Sequence, residues 1–209
     1  MQNKIEILVP ETTYHVFNRA NGNEKIFLTD KNYTFVLEKY RGYIPEIADT
    51  FCYCLMPNHF HFIIRIKSEG ELEKHFKSTL TGFKTLSGLN ESALSKLITQ
   101  PFSHLLNGYA QAINKQEKRK GSLFMRPFKR KRITDENYLR KLVHYIHYNP
   151  VEAGLAASCE EWKYSSYNAL ISTSPTLIAR EEVIEWFDDL GNFIYCHKYP
   201  PQETGIEYL

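Results

Sequence analysis

Between residues 59 and 67 apolar side chains fall on every second position: Phe60, Phe62 and Ile64 alternate with His59, His61 and Ile63. A period of two predicts a strand with the two sets on opposite faces. The run before it, "IADTFCYCLM" (47–56), is equally β-prone, and Pro57-Asn58 link the two as an antiparallel pair. "TTYHVFNRA" (12–20) predicts another strand, followed by the turn-like "NGN" (21–23). "SLFMRPFKRKRI" (122–133) alternates enough for a fourth, and Pro127 assigns it to an edge or a bulge.

Between these runs the period changes to that of a helix. In "DKNYTFVLEKYRGYI" (30–44), Phe35, Leu37, Tyr40 and Ile44 lie near helical spacing and Asp30 is placed to cap. Further helices are expected over about 69–88 and 101–117. The clearest is "TDENYLRKLVHYIHYNP" (134–150): Thr134 or Asp135 caps it, Leu139, Leu142, Val143 and Ile146 form an apolar stripe, and Pro150 is expected to end it. From Val151 onward the pattern predicts an extension with short helices, among them "REEVIEWFDDL" (180–190). Interleaved strands and helices of this kind predict an α+β fold, with helices on one face of an antiparallel sheet and the other face left to carry a site.

Composition changes this picture little. Apolar residues make up 43% and charged residues 24% of the 209, as in ordinary globular proteins. Cys52, Cys54, Cys159 and Cys196 form no CxxC pair, which argues against a zinc ribbon or a thioredoxin-type site and for a reducing compartment. No segment reads as a signal peptide or a membrane span, so a cytoplasmic protein is expected. Charge matters more by position than in total. The chain carries a net +2, yet between Lys115 and Arg132 nine Lys/Arg residues face a single acid, Glu117. Lys118, Arg119, Lys120, Arg126, Lys129, Arg130, Lys131 and Arg132 are therefore candidate phosphate contacts, and the interleaved Phe124 and Phe128 candidate stacking surfaces for unpaired bases.

The candidate chemistry begins at "MPNHFHFIIR" (56–65), where His59 and His61 share a strand face and could share one ion. Tyr145 and Asn149, four residues apart, share a helix face. An amide oxygen from Asn149 with two neutral imidazoles would make a mixed N/O site, suited to Mn²⁺ or Zn²⁺ by affinity and open to Mg²⁺ by availability. The alternative is that these are strand histidines bonded to nearby carbonyls and an ordinary helix tyrosine, with Tyr138 and Tyr148 as rivals. His144 and His147 read as solvent-facing or locally hydrogen-bonded groups.

Taken together, "MPNHFHFIIR", "YIHYNPVEAGL" (145–155) and "EEWKYSSYNAL" (160–170) resemble the HUH single-tyrosine transposases, most closely the REP-associated tyrosine transposase branch. "YHVFNRANGNEKIF" (14–27) and "GSLFMRPFKRKRI" (121–133) are similar to that family's opening strand and pre-helix strand, so the resemblance runs from about residue 12 to 170. It implies a ferredoxin-like (RRM-like) catalytic domain over residues 1–155 with a packed C-terminal extension over 156–209. It also implies His59, His61 and Asn149 as ligands of Mg²⁺ or Mn²⁺ and Tyr145 as the nucleophile. The activity implied is metal-dependent cutting and rejoining of single-stranded or hairpin DNA through a 5′-phosphotyrosine link, by a monomer or a homodimer. A domesticated, non-cleaving hairpin binder is the alternative, and a hydrolase of small phosphodiesters a third reading.

Overall fold

In the computed structural model, which describes residues 6–22, 24–77 and 86–201, the period-two runs form one sheet. Its strands are β1 (Thr13–Arg19), β2 (Ala48–Met56), β3 (His59–Ile66) and β4 (Lys129–Arg132), in the order β2-β3-β1-β4 and antiparallel throughout. With α1 (Asp30–Tyr43) between β1 and β2, and α2 (Glu69–Phe76) and α3 (Glu91–Gln116) between β3 and β4, this is the ferredoxin-like arrangement. β4 is an edge strand, as Pro127 requires, and its ladder covers four residues of the twelve-residue run.

One sheet face meets α1 and α3. Tyr14, Val16, Phe60, Phe62 and Ile64 pack there against Val36, Tyr40, Ile98, Phe102 and Leu105 in one buried cluster. Tyr40 stacks on Phe62 at 4.4 Å, and its hydroxyl bonds Thr50 Oγ1 at 2.7 Å. On the opposite face, Phe51, Cys52, Cys54, Met56 and Ile63 pack against α4 (Glu136–Glu152) and against α5 (Tyr167–Ile171), α6 (Arg180–Glu185) and α7 (Leu190–His197). These elements cover the β2 side. Lys129 and Lys131 on β4, at the far edge, remain exposed.

Several helix boundaries differ from expectation. Thr29, not Asp30, is the N-cap of α1. Asn32 Oδ1 accepts from the amides of Leu28 and Thr29, while Asp30 pairs with Lys163 at 2.5 Å. α3 begins at Glu91 and holds Pro101 in its interior; Asn90 caps it, accepting from Ala93 N at 2.9 Å. The helix expected over about 101–117 therefore starts further upstream. Residues 78–85 of the expected 69–88 helix lie outside the described residues. Pro150 sits inside α4, which ends instead where Gly154 takes φ +67° and its amide bonds Val151 O. The 180–190 run is two elements: Asp188 turns the chain at φ +70°, and Asp189 caps α7 through Asn192 N at 2.7 Å.

The extension is tied to the sheet by polar contacts. Tyr164 O and Ala179 N bond the backbone of β2 at 2.9 Å each, which closes the edge that β2 would otherwise present. Beneath α4 a buried chain of hydrogen bonds has a fixed direction. His197 Nδ1–H donates to Phe193 O at 2.8 Å, so its Nε2 accepts from His147 Nδ1–H at 3.1 Å. His147 Nε2 is then an acceptor for the Ser166 hydroxyl at 2.8 Å, with Cys52 Sγ at 3.3 Å. His147 is thus fully buried; of the two expectations for it, local hydrogen bonding holds and solvent exposure does not.

Burial pushes the His197 pKa down from 6.5 to about 3, and the facing His144 pushes it further the same way. His147 on α4, Cys159 and Tyr167 complete its surroundings. As pH falls below about 6.5 the unfolded chain takes up a proton that the folded chain refuses, so stability falls by up to about 1.4 kcal/mol per pH unit, down to the folded value. Urea unfolding at pH 7 and at pH 5.5 checks this: the wild type should lose about 1 kcal/mol more between them than His197→Phe does.

Candidate active site between β3 and α4

β3 turns His59, His61, Ile63 and Arg65 to the face opposite α1 and α3. The His59 and His61 ring centroids lie 5.0 Å apart at 84°. From across the face α4 brings Tyr145, whose ring meets His61 edge to face at 5.9 Å, and one turn later Asn149, whose side chain sits beside His59 and favours its charged form. The sequence of α4 explains this placement. Asp135 accepts from Tyr138 N at 2.6 Å to start the helix, and Leu142, Val143 and Ile146, all fully buried, lock its inner face. Tyr145 and Asn149 follow on the adjoining stripe, 6% and 7% exposed. The four residues singled out for chemistry thus meet in one place.

The two imidazoles are held differently. His59 is half-buried, and its Nδ1–H donates to Asn58 Oδ1 at 2.7 Å, which leaves Nε2 for a ligand. His61 is 1% exposed. Its Nδ1 lies 2.9 Å from His15 Nε2, and its own Nε2 is buried with no hydrogen-bond partner among the described residues. Burial holds His59 down at about 4, partly offset by Asn149. It holds His61 well below its ordinary value, with the neighbouring His15 and His59 acting in the same direction. Both rings are therefore neutral at pH 7 and present lone pairs.

A divalent cation fits this donor set. A buried nitrogen without a partner calls for a reason, and two neutral imidazoles with an amide oxygen form a mixed N/O set that Mg²⁺ or Mn²⁺ accepts. Among the described residues no three His, Cys, Asp or Glu side chains come together to hold an ion; the third donor available here is the amide of Asn149.

His15 was not among the residues selected from the sequence. It is 4% exposed on β1, stacked on Phe17 at 4.5 Å. Its partner lies 46 residues away, and only the pairing of β1 with β3 brings them together. The signal available was its alternation on a predicted strand, which marks a face but not a neighbour.

The basic run divides. Strand alternation sends Lys129 and Lys131 to the histidine face, opposite Phe17 and His15 on β1. Arg130 and Arg132 turn to the reverse side, where Arg130 bonds Glu6 O and lies over the Phe128 ring, and Arg132 meets Thr12 and Glu6. Arg119 pairs with Glu24 and bonds Asn114 Oδ1 at 2.8 Å, so with Lys118 and Lys120 it belongs to the end of α3; Arg126 reaches Asn107 on that helix. Phe124 and Phe128 are corrected outright. Both are buried in the cluster under α3, Phe124 against Phe60 and Tyr109, and neither ring is open to a base.

No family model and no curated protein matches the chain. Among solved structures it is similar to a REP-associated tyrosine transposase bound to a REP hairpin, with a TM-score of 0.56 and 14% identity, over 84% of this chain and 89% of that one. At that identity the likeness is one of fold.

Because Phe124 is a core residue, Phe124→Ala should cost about 3–5 kcal/mol of stability in urea unfolding, as large-to-small changes of a buried aromatic do. A loss under 1 kcal/mol would return the ring to the surface.

Proposed function

We propose that this chain cuts and rejoins single-stranded DNA through a covalent 5′-phosphotyrosine link at Tyr145, assisted by a divalent cation at His59, His61 and Asn149. The DNA substrate is a hairpin or repeat like the one on the similar transposase structure. The supporting observation is the convergence of Tyr145 and Asn149 from α4 on the imidazole pair of β3, with one imidazole nitrogen buried and unsatisfied. In this reading residues 1–155 form the catalytic domain and residues 156–209 an extension, whose α7 braces α4 through His197, and the protein acts in the cytoplasm.

The bound cation, Mg²⁺ or Mn²⁺, supplies Lewis-acid stabilisation of charge on the scissile phosphate. The chain's residues do the rest. Tyr145 Oη loses its proton and attacks phosphorus; the bond to the 3′ oxygen breaks, and that oxygen leaves as a hydroxyl after taking up a proton. The phosphate stays on the 5′ fragment as a tyrosyl ester, and a 3′ hydroxyl attacking it reverses the step and rejoins a strand. A tyrosine at its ordinary pKa of about 10 is a weak nucleophile, so activation next to the site is required. Lys129 and Lys131 flank the histidines on the exposed edge and serve as phosphate contacts for the strand entering the site.

With labelled hairpin oligonucleotides and Mn²⁺ or Mg²⁺, a protein–DNA band that survives heating in SDS is expected, reduced at least about 100-fold by Tyr145→Phe and abolished by chelator. An equal band from Tyr145→Phe would sink the reading, and tight binding without any band would leave a hairpin-binding protein. Converting both Lys129 and Lys131 to Gln should lower the salt slope of single-strand binding by about 1.4, from two lost phosphate contacts, and Arg130→Gln should change it by less than half as much.

A further inference from the structure

We infer that His15 is a positioning residue that fixes the tautomer of His61, its Nε2 accepting a hydrogen bond from His61 Nδ1–H so that His61 Nε2 keeps a lone pair for a divalent cation. The inference rests on the metal-assisted reading above and assigns a role to a residue outside its ligand set.

The geometry carries it. His15 Nε2 and His61 Nδ1 lie 2.9 Å apart, and both rings are buried, 4% and 1% exposed. A single hydrogen lies between two neutral rings, so two arrangements exist. In one, His15 donates and His61 carries its hydrogen on Nε2. That buried N–H would have no acceptor among the described residues, at a cost of about 1–3 kcal/mol. In the other, His61 donates from Nδ1 and its Nε2 presents a bare lone pair beside Tyr145, His59 and the amide of Asn149. Only the second can bind a cation. Metal-bound imidazoles are generally oriented this way, by an acceptor on the other ring nitrogen.

The placement of His15 is rigid. Its backbone lies opposite Ile63 on β3 and Lys131 on β4, in the middle of the sheet. Its ring stacks on Phe17 at 4.5 Å, and the His15 and His61 rings lie 5.1 Å apart at 19°. Ladder and stack together leave the His15 ring little freedom to turn away, so the acceptor is in place before any ion arrives.

Two measurements on the full chain test this without reference to DNA cleavage. The first is Mn²⁺ binding by calorimetry to the wild type, His15→Leu, His15→Gln and His61→Ala. His15→Leu removes the acceptor and should weaken binding by about 10–100-fold. The Gln oxygen can replace it and should bring affinity back to within about threefold of wild type. His15→Leu within twofold of wild type, with His61→Ala losing the ion, overturns the role of His15 and leaves the metal site standing. Undiminished binding by His61→Ala overturns both. The second is the ¹⁵N signature of His61 in the metal-free wild type, which stands even if a variant fails to fold. A hydrogen on Nδ1 supports the assignment, and one on Nε2 overturns it.

Discussion

The pairing register of β3 is the constraint on which the rest of the structure depends. On one side of this strand Phe60, Phe62, Ile64 and Ile66 enter the core beneath α1 and α3; on the other His59 and His61 face α4. A slip of one residue would exchange the two sets, driving imidazoles into an apolar cluster and phenylalanines out of it. The aromatic set thus does for the site what no polar contact could: it fixes which way the histidines point. The antiparallel neighbours then fix what they meet, Phe17 and Cys54 beside His61, and His15 one step along.

The second half of the site hangs on α4, and α4 is held from two directions. Its apolar stripe packs on β2, and on the flank away from the histidines the His147–His197 chain links it to α7. These two hold it by different physics. Apolar contact with the sheet gives depth and little direction. The hydrogen-bond chain runs one way only, from Ser166 through His147 and His197 to Phe193 O, so it specifies the rotation of α4 about its axis. Rotation decides whether Tyr145 and Asn149 face the imidazoles. A C-terminal stretch without a readable motif therefore bears directly on the geometry of the candidate site.

What could be read in the sequence is what local periodicity encodes. The alternation around His59 and His61, the stripe of α4 and the four-residue step from Tyr145 to Asn149 are properties of consecutive residues, and each appears where the pattern placed it. The misreadings come from residues whose role is set at a distance. Pro150, expected to end its helix, lies inside α4 because tertiary packing outweighs a lost amide. Phe124 and Phe128 stand in a basic run and yet are core, because α3 lies over them; nothing within the run distinguishes an aromatic facing DNA from one facing a helix. The same alternation divides the run itself, so that eight cations adjacent in sequence become separate groups in space.

His15 shows the same limit from the functional side. A strand histidine is chemically silent until its neighbour across the sheet is known, and here the neighbour is a candidate ligand. The unsatisfied Nε2 of His61 adds weight to that pairing: among the described residues both ring nitrogens of His147 and of His197 have hydrogen-bond partners, and this buried nitrogen has none. Burial without a partner is destabilising, and a structure keeps such a group where another gain offsets it. At a position flanked by a second imidazole, an amide and a tyrosine, the cation of the proposed mechanism would supply that gain. The pairing that orients the nitrogen and the donors it faces are then two parts of one arrangement.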